Sequence, residues 1–157
     1  MILTPHMLIG AAIGAKVHNF WAVIILALFS HFLLDRLPHW EYAHKTHLHE
    51  KSKKEFSVFA LQGMVDFLIG LAIVVWLFWT GPLRWWALVG AIFGMLPDLP
   101  MFLLGFTYSL FGRKIKILEK YYWLHHKNHI PRNKNTPGWG VITEILVVLV
   151  ALWVILG

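Results

Sequence analysis

The sequence predicts an all-α integral membrane protein, a bundle of about five transmembrane helices with an interfacial amphipathic helix beside it. Of the 157 residues, 58% are hydrophobic and 14% are charged, whereas soluble domains usually have about 25% charged residues. The apolar residues fall in runs, and roughly 20 apolar residues cross a bilayer core about 30 Å thick. We therefore expect a single transmembrane helical domain that covers residues 1–157.

Five apolar segments follow one another along the chain. The first has too few residues to cross the bilayer straight, so it is expected to be short or re-entrant, with Pro5 in its first turn. Pro38 ends the second segment, Pro82 follows the third, and the stretch PDLP at 97–100 interrupts the fourth. The predicted segments cover about 4–17, 20–37, 57–79, 83–105 and 138–156.

Basic residues are concentrated in two stretches between these segments, 38–56 and 106–136. Because Lys and Arg favour cytoplasmic loops, five spans would place the N-terminus in the cytoplasm and the C-terminus outside. This topology explains the net charge of +6 without a nucleic-acid partner. Within the second stretch, an interfacial segment at about 109–129 has one apolar side and one lysine-bearing side, which predicts a helix lying on membrane lipids.

Acidic residues also occur inside the apolar segments, always in the half that this topology turns toward the cytoplasm. They are Asp35, Asp66, Asp98 and Glu144. An Asp near the centre of a membrane helix costs about 2.5–3.5 kcal/mol, so such residues normally face the protein interior and have a partner. Protonation would neutralise them one at a time, whereas a bound cation would neutralise several together.

Histidines accompany these acids. His31, Asp35 and His39 follow one another at intervals of four residues, so His31 and Asp35 share one helix face. Pro38 ends the helix and allows His39 to turn back toward them. Imidazole and carboxylate donors without sulfur suit Zn²⁺, with Mn²⁺ or Fe²⁺ as alternatives, and the number of candidate donors allows one or two ions.

Four short stretches carry a resemblance to a known family. The sequence is similar to the prokaryotic small membrane proteins described as predicted membrane-bound metal-dependent hydrolases. The Gly-His-Arg and Thr-His-Ser elements of that family are missing here. The resemblance covers roughly half of the chain and implies a helical protein of the prokaryotic inner membrane with a metal at one membrane face. The stretches are TPH at 4–6, HFLLDRLPH at 31–39, MVDFLIG at 64–70 and GMLPDLP at 94–100. The implied metal ligands are His6, His31, Asp35, His39 and Asp98, together with Asp66.

These observations predict a metal-dependent hydrolase that acts at the cytoplasmic membrane face on a phosphoester or other ester of a lipid-like or phosphorylated substrate. A bound metal lowers the pKa of its water toward about 7, and Glu144, His125 or His129 would carry the proton. Arg36 and His126 would bind an anionic headgroup.

Other interpretations stay open at this point. His31 and Asp35 could form an intrahelical hydrogen bond, Asp98 could cap a kinked helix, and Asp66 could belong to a buried polar network. The protein could also be a metal or ion transporter, because intramembrane Asp and His residues mark ion paths. A non-catalytic membrane scaffold with a structural metal is the third interpretation.

Overall fold

The computed structural model describes residues 1–40, 52–128 and 137–157. This part of the chain is all-α and contains no strand, which confirms the predicted class. Its helices are α1 (Leu3–Val17), α2 (Phe20–Leu34), α3 (Lys53–Phe78), α4 (Arg84–Met95), α5 (Leu99–Phe111), α6 (Lys116–Asn128) and α7 (Pro137–Leu156), with a 3₁₀ turn at Leu96–Asp98 between α4 and α5.

Three stretches of the described chain are long and apolar enough to cross a membrane: Lys53–Phe78, Arg84–Phe111 and Gly138–Leu156. Helix α2 is apolar but has 15 residues, and α1 has the same number. Each of these two helices is therefore about 22 Å long. The three long helices support a membrane protein, whereas the predicted number of about five spans is not confirmed.

Helix α1 lies at the centre of the bundle, where it contacts α2, α3, α4 and α7. It runs antiparallel to α4, and the two backbones touch. A Cβ atom added to Gly10 would overlap the backbone carbonyl of Gly90, and one added to Gly14 would overlap that of Trp86. Small residues at such positions let membrane helices approach closely and gain van der Waals contact. The residue pattern therefore fixes α1 against α4.

The helices differ in length, so their ends do not lie at one level. The first residues of α1, Leu3 and Thr4, lie beside Asp66 near the middle of α3. Farther along, Met7 lies beside Gly70, so α1 and α3 run in the same direction. The first half of α3 therefore extends about 18–20 Å beyond the start of α1, at about 1.5 Å per residue.

Two packed regions result from these unequal lengths. We call α1, α2, α4, α7 and the second half of α3 (66–78) the inner region. The first half of α3 (53–65) forms the aromatic region together with α5 and α6. There, the rings of Phe56 and Phe102 lie 5.5 Å apart, and Tyr122 is buried against Leu104. The 3₁₀ turn connects the inner region to the aromatic region.

The helices around this turn depart from their predicted boundaries. The turn itself coincides with the predicted interruption at PDLP, because prolines lack the amide hydrogen that a regular helix uses. Beyond it, α5 continues to Phe111 rather than ending near 105, and stops at Gly112, whose φ of 63° favours glycine. The predicted interfacial helix begins at Lys116 rather than near 109. Asp98 is consequently farther from the end of the long Arg84–Phe111 run than the sequence suggested.

Candidate metal centre

Four buried or partly buried side chains from three elements meet where the two regions join. His31 lies in the last turn of α2 and Asp35 directly follows that helix. Asp98 ends the 3₁₀ turn, and His125 lies on the inward side of α6. One donor atom from each of these residues lies within 4.8 Å of the other three. We call these residues the four-donor cluster.

The spacing of the donor atoms matches the size of a coordinated ion. His31 Nε2 lies 3.0 Å from Asp35 Oδ2 and 3.0 Å from His125 Nε2, and His125 Nε2 lies 3.5 Å from Asp35 Oδ2. Asp98 Oδ1 is slightly farther, at 3.7 Å from His31 Nε2 and 3.8 Å from His125 Nε2. Donors about 2.0–2.1 Å from a tetrahedral zinc ion are about 3.3 Å apart. The observed distances bracket that value.

The ring of His31 is oriented by the backbone of α4. Its Nδ1 donates a hydrogen bond to the carbonyl oxygen of Gly94 at 2.9 Å, so the lone pair of the neutral ring is on Nε2, which faces the cluster. A hydrogen bond from the other ring nitrogen to a carbonyl typically fixes the tautomer of a metal-binding histidine. The same Gly94 has no side chain because the backbone carbonyl of His6 fills that space. One glycine thus packs α1 and orients His31.

Behind the cluster, His6 supports Asp35 rather than joining the four donors. Its ring stacks on that of His31 at 4.1 Å, and its Nε2 lies 3.2 Å from Oδ1 of Asp35. The amino group of Met1 lies 2.9 Å from the same oxygen. The second oxygen of Asp35 faces His31 and His125. His6, expected as a ligand, therefore occupies a position that orients the carboxylate of a candidate ligand.

Of the two roles that the sequence left open for Asp66, the structure shows the buried polar network and does not bring it into the four-donor cluster. Its carboxylate accepts hydrogen bonds from the amides of Leu3 and Thr4 and from the hydroxyl of Thr4. These amides belong to the first turn of α1, where helix donors have no intrahelical acceptor, and a carboxylate there is stabilised by the helix dipole. We therefore reassign Asp66 from metal ligand to the cap of α1.

Glu144 connects the chain after α2 to α7, and His39 lies in the connected segment. The Nδ1 of His39 donates to the carbonyl of Leu37 at 2.6 Å. The amide of Trp40 donates to Oε1 of Glu144 at 3.1 Å, and the amide of Ile2 also donates to this carboxylate. The structure therefore does not bring His39, predicted as a ligand, into the four-donor cluster. Glu144, predicted as a proton carrier, instead orders two backbone segments.

The remaining predicted residues lie on α6 or close to α2. His125, predicted as a proton carrier, is one of the four donors. His126 is exposed and stacks on Tyr122 at a ring distance of 5.7 Å. Arg36 is exposed next to Asp35. His129 lies outside the described residues. The substrate-binding roles of Arg36 and His126 stay predictions.

Tyr121 is a residue that the sequence interpretation missed. Its hydroxyl donates to the carbonyl oxygen of Pro97 at 2.8 Å, which ties α6 to the turn that carries Asp98. Burial, followed by the nearby charges of Asp98 and Asp35, raises the pKa of Tyr121 to about 12. The hydroxyl therefore keeps its proton and donates at neutral pH. Its position four residues before His125, on the same helix face, is the signal that would have pointed to it.

No protein-family model, curated protein or solved structure matches the chain. The resemblance to membrane-bound metal-dependent hydrolases therefore stays a prediction. The function has to be inferred from how these residues are arranged.

Proposed function

We propose that this protein is a membrane-embedded metal-dependent hydrolase that cleaves a phosphoester or other ester of a lipid-like substrate at the cytoplasmic membrane face. The observation that carries the proposal is the convergence of two imidazoles and two carboxylates, with donor atoms within 4.8 Å of one another, in a chain with three long apolar helices. The amino group of Met1 already lies beside Oδ1 of Asp35, but two carboxylates in such surroundings need more than one positive charge. A divalent cation is the partner that these donors fit.

The donor set fits zinc, with manganese or iron as alternatives, because it combines imidazole with carboxylate and contains no sulfur. His31, Asp35 and His125 are the three closely spaced and fully buried members, and three protein ligands are typical of catalytic zinc sites. When bound, such an ion lowers the pKa of a coordinated water toward about 7 and polarises the ester.

Asp98 is the accessible member of the cluster. Its side chain is 21% exposed and its oxygen lies farther from both imidazoles than the oxygen of Asp35 does. Substrate and water would approach from this side. In the proposed reaction, Asp98 accepts a proton from the attacking water and returns it to the departing alkoxide, so that the ester gives an acid and an alcohol.

The position of the cluster supports a lipid-like substrate. The cluster lies between the two halves of the long Arg84–Phe111 run. Around it, the outward faces of α3 and α5 are apolar, with Leu61, Phe102 and Phe106 exposed. Residues of this kind are compatible with lipid contact. A substrate with an apolar tail could lie along these faces while its ester group reaches the cluster.

The proposal can be tested with purified protein and a panel of phospholipids and polyprenyl phosphates. Metal content is measured by elemental analysis and product release by mass spectrometry, for wild type and for Asp98→Asn. We expect Asp98→Asn to retain metal held by the three buried donors and to lose about 100-fold or more in turnover. Glu119→Gln, which changes a partly buried carboxylate of α6 outside the four-donor cluster, should behave as wild type. Equal turnover in wild type and Asp98→Asn would remove Asp98 from the mechanism.

A structural metal is the second candidate, because four protein donors also suffice for a closed tetrahedral site. Cobalt-loaded protein separates the two possibilities. Azide should change the visible spectrum if the ion has an exchangeable position, and should leave it unchanged if all four protein donors bind. A visible spectrum that azide leaves unchanged, together with no turnover on the panel, would favour the structural metal.

A further inference from the structure

Helix α6 has two faces of opposite character. Its inward side carries Leu118, Tyr121, Tyr122 and His125, which pack on α5 or enter the cluster. At about 100° per residue, the lysines recur on the opposite side, and all of them are exposed. They are Lys116, Lys120 and Lys127. The helix that supplies one metal donor therefore presents a cationic stripe to its surroundings.

Large apolar side chains flank this stripe. Ile117 is 76% exposed and Leu124 is 62% exposed, and they lie seven residues apart on one flank of the helix. Trp123 is also exposed on the outward side. Lysines with adjacent apolar and aromatic residues are typical of helices that lie in the membrane interface. Their charge is complementary to anionic phospholipid headgroups.

Among the four donors, His125 alone comes from α6. The other donors lie on α2 or on the turn between α4 and α5. Helix α6 follows Gly112 and a non-helical stretch at 113–115, and it packs mainly on α5. A force that holds α6 against α5 therefore also holds the imidazole of His125 in the cluster.

We infer that α6 is a lipid-dependent clamp, whose outward face binds a bilayer surface containing anionic phospholipids and thereby keeps His125 on the metal. This inference rests on the proposed metal centre. Lipid that binds the docked helix more tightly than the undocked helix must also tighten metal binding, because only the docked helix brings His125 to the other donors. The coupling free energy is the same in both directions. The proposal therefore assigns to anionic lipid a regulatory role at the centre.

The test uses full-length protein in nanodiscs of phosphatidylcholine alone or with phosphatidylglycerol. The zinc dissociation constant is measured by competition with a chromophoric chelator. For wild type, phosphatidylglycerol should lower the dissociation constant about tenfold, within the usual range of coupling between sites. The triple variant Lys116→Gln, Lys120→Gln, Lys127→Gln should bind zinc as wild type does in phosphatidylcholine and should lose the gain in anionic discs.

The control for charge is Lys53→Gln combined with Lys54→Gln, which removes exposed lysines from the start of α3. This variant should keep the full effect of anionic lipid. Comparing proteins within the same discs cancels the attraction of zinc to the bilayer itself. A purely electrostatic effect of the lysines has the opposite sign, since their removal would strengthen zinc binding.

The possible outcomes separate this inference from the proposed function. Zinc binding of equal strength in both kinds of disc would overturn the clamp and leave the metal centre standing. Loss of the lipid effect in the α3 control as well as in the α6 variant would also overturn it, because the effect would then belong to general surface charge. An absence of zinc binding in either disc would overturn the metal centre itself. Retained lipid dependence in His125→Ala would show that the coupling does not pass through this donor.

Discussion

The inner region and the aromatic region hold parts of one centre by different kinds of contact. In the inner region, α1 and α4 touch backbone to backbone at Gly10 and Gly90, and several helices surround α1. In the aromatic region, α6 packs mainly on α5 through side chains such as Tyr122. Donors of the inner region are therefore fixed by the bundle, whereas His125 depends on one docked helix. Global stability and metal affinity should respond to different substitutions.

The largest effect on the free energy of unfolding is expected from a substitution at the contact between α1 and α4. In Gly90→Ala, the new Cβ atom would overlap the backbone carbonyl of Gly10, so α1 and α4 must separate, and this displaces the helix whose Gly94 carbonyl orients His31. Overpacking of this kind costs about 3 kcal/mol. We expect a strongly lowered unfolding temperature in detergent, followed by circular dichroism, and loss of bound metal.

A matched substitution in the other region tests the comparison. Gly63 lies on the first half of α3, and a Cβ atom there meets nothing within 4 Å. Gly63→Ala should change the free energy of unfolding by less than about 1 kcal/mol, with the sign that helix propensity predicts. A loss as large as that of Gly90→Ala would contradict the division into two regions.

The two histidines of the cluster should separate stability from metal binding. His31→Ala removes a donor, the hydrogen bond to Gly94 and the stacking on His6. His125→Ala removes a donor from α6. Both should weaken zinc binding more than about 100-fold, beyond the effect of losing an orienting partner. In chelator-treated protein, only His31→Ala should lower the unfolding temperature clearly. Equal destabilisation of the two metal-free variants would show that α6 is as integral to the bundle as α2.

A smaller loss of stability is expected at Asp66, and its effect should be confined to the inner region. Asp66→Asn keeps one carbonyl acceptor but loses the charge that caps α1, so the free energy of unfolding should fall by about 1–2 kcal/mol. Zinc content should stay that of wild type. Thr4→Val removes a partner of the same carboxylate, and the losses of the two variants should not add in the double variant. Loss of zinc in Asp66→Asn would restore this residue as a ligand.

The same contrast explains how far the sequence could predict the structure. Hydropathy predicted a helical membrane protein, and the spacing of His31 and Asp35 predicted their shared helix face, because both depend on local pattern. The partners of Asp66 could not be predicted, since they depend on α1 beginning beside the middle of α3. A carboxylate at mid-helix looks the same in sequence whether it meets an ion or a helix N-terminus.

The position of His125 among the donors could not be predicted for a different reason. The interfacial helix was predicted from its lysine and apolar sides, and His125 was assigned to proton transfer. Its position among the donors depends on how α5 continues to Phe111 and lets α6 fold back. The turn at Gly112 sets that geometry, and its length cannot be derived from hydropathy. Boundaries of helices, rather than their existence, therefore decided which predicted site residues meet.

The smallest predicted loss of zinc affinity is that of a variant at Tyr121, which connects the two regions by its hydrogen bond to Pro97. Tyr121→Phe retains the ring beside His125 and removes one hydrogen bond, which is worth about 1 kcal/mol. If this bond positions His125 relative to Asp98, zinc affinity should fall about fivefold, as the same free energy requires, while the unfolding temperature changes little. Tyr108→Phe is the control, because its ring contacts Lys114 rather than the cluster. Unchanged zinc affinity in Tyr121→Phe would mean that the packing of α6 on α5 alone positions His125.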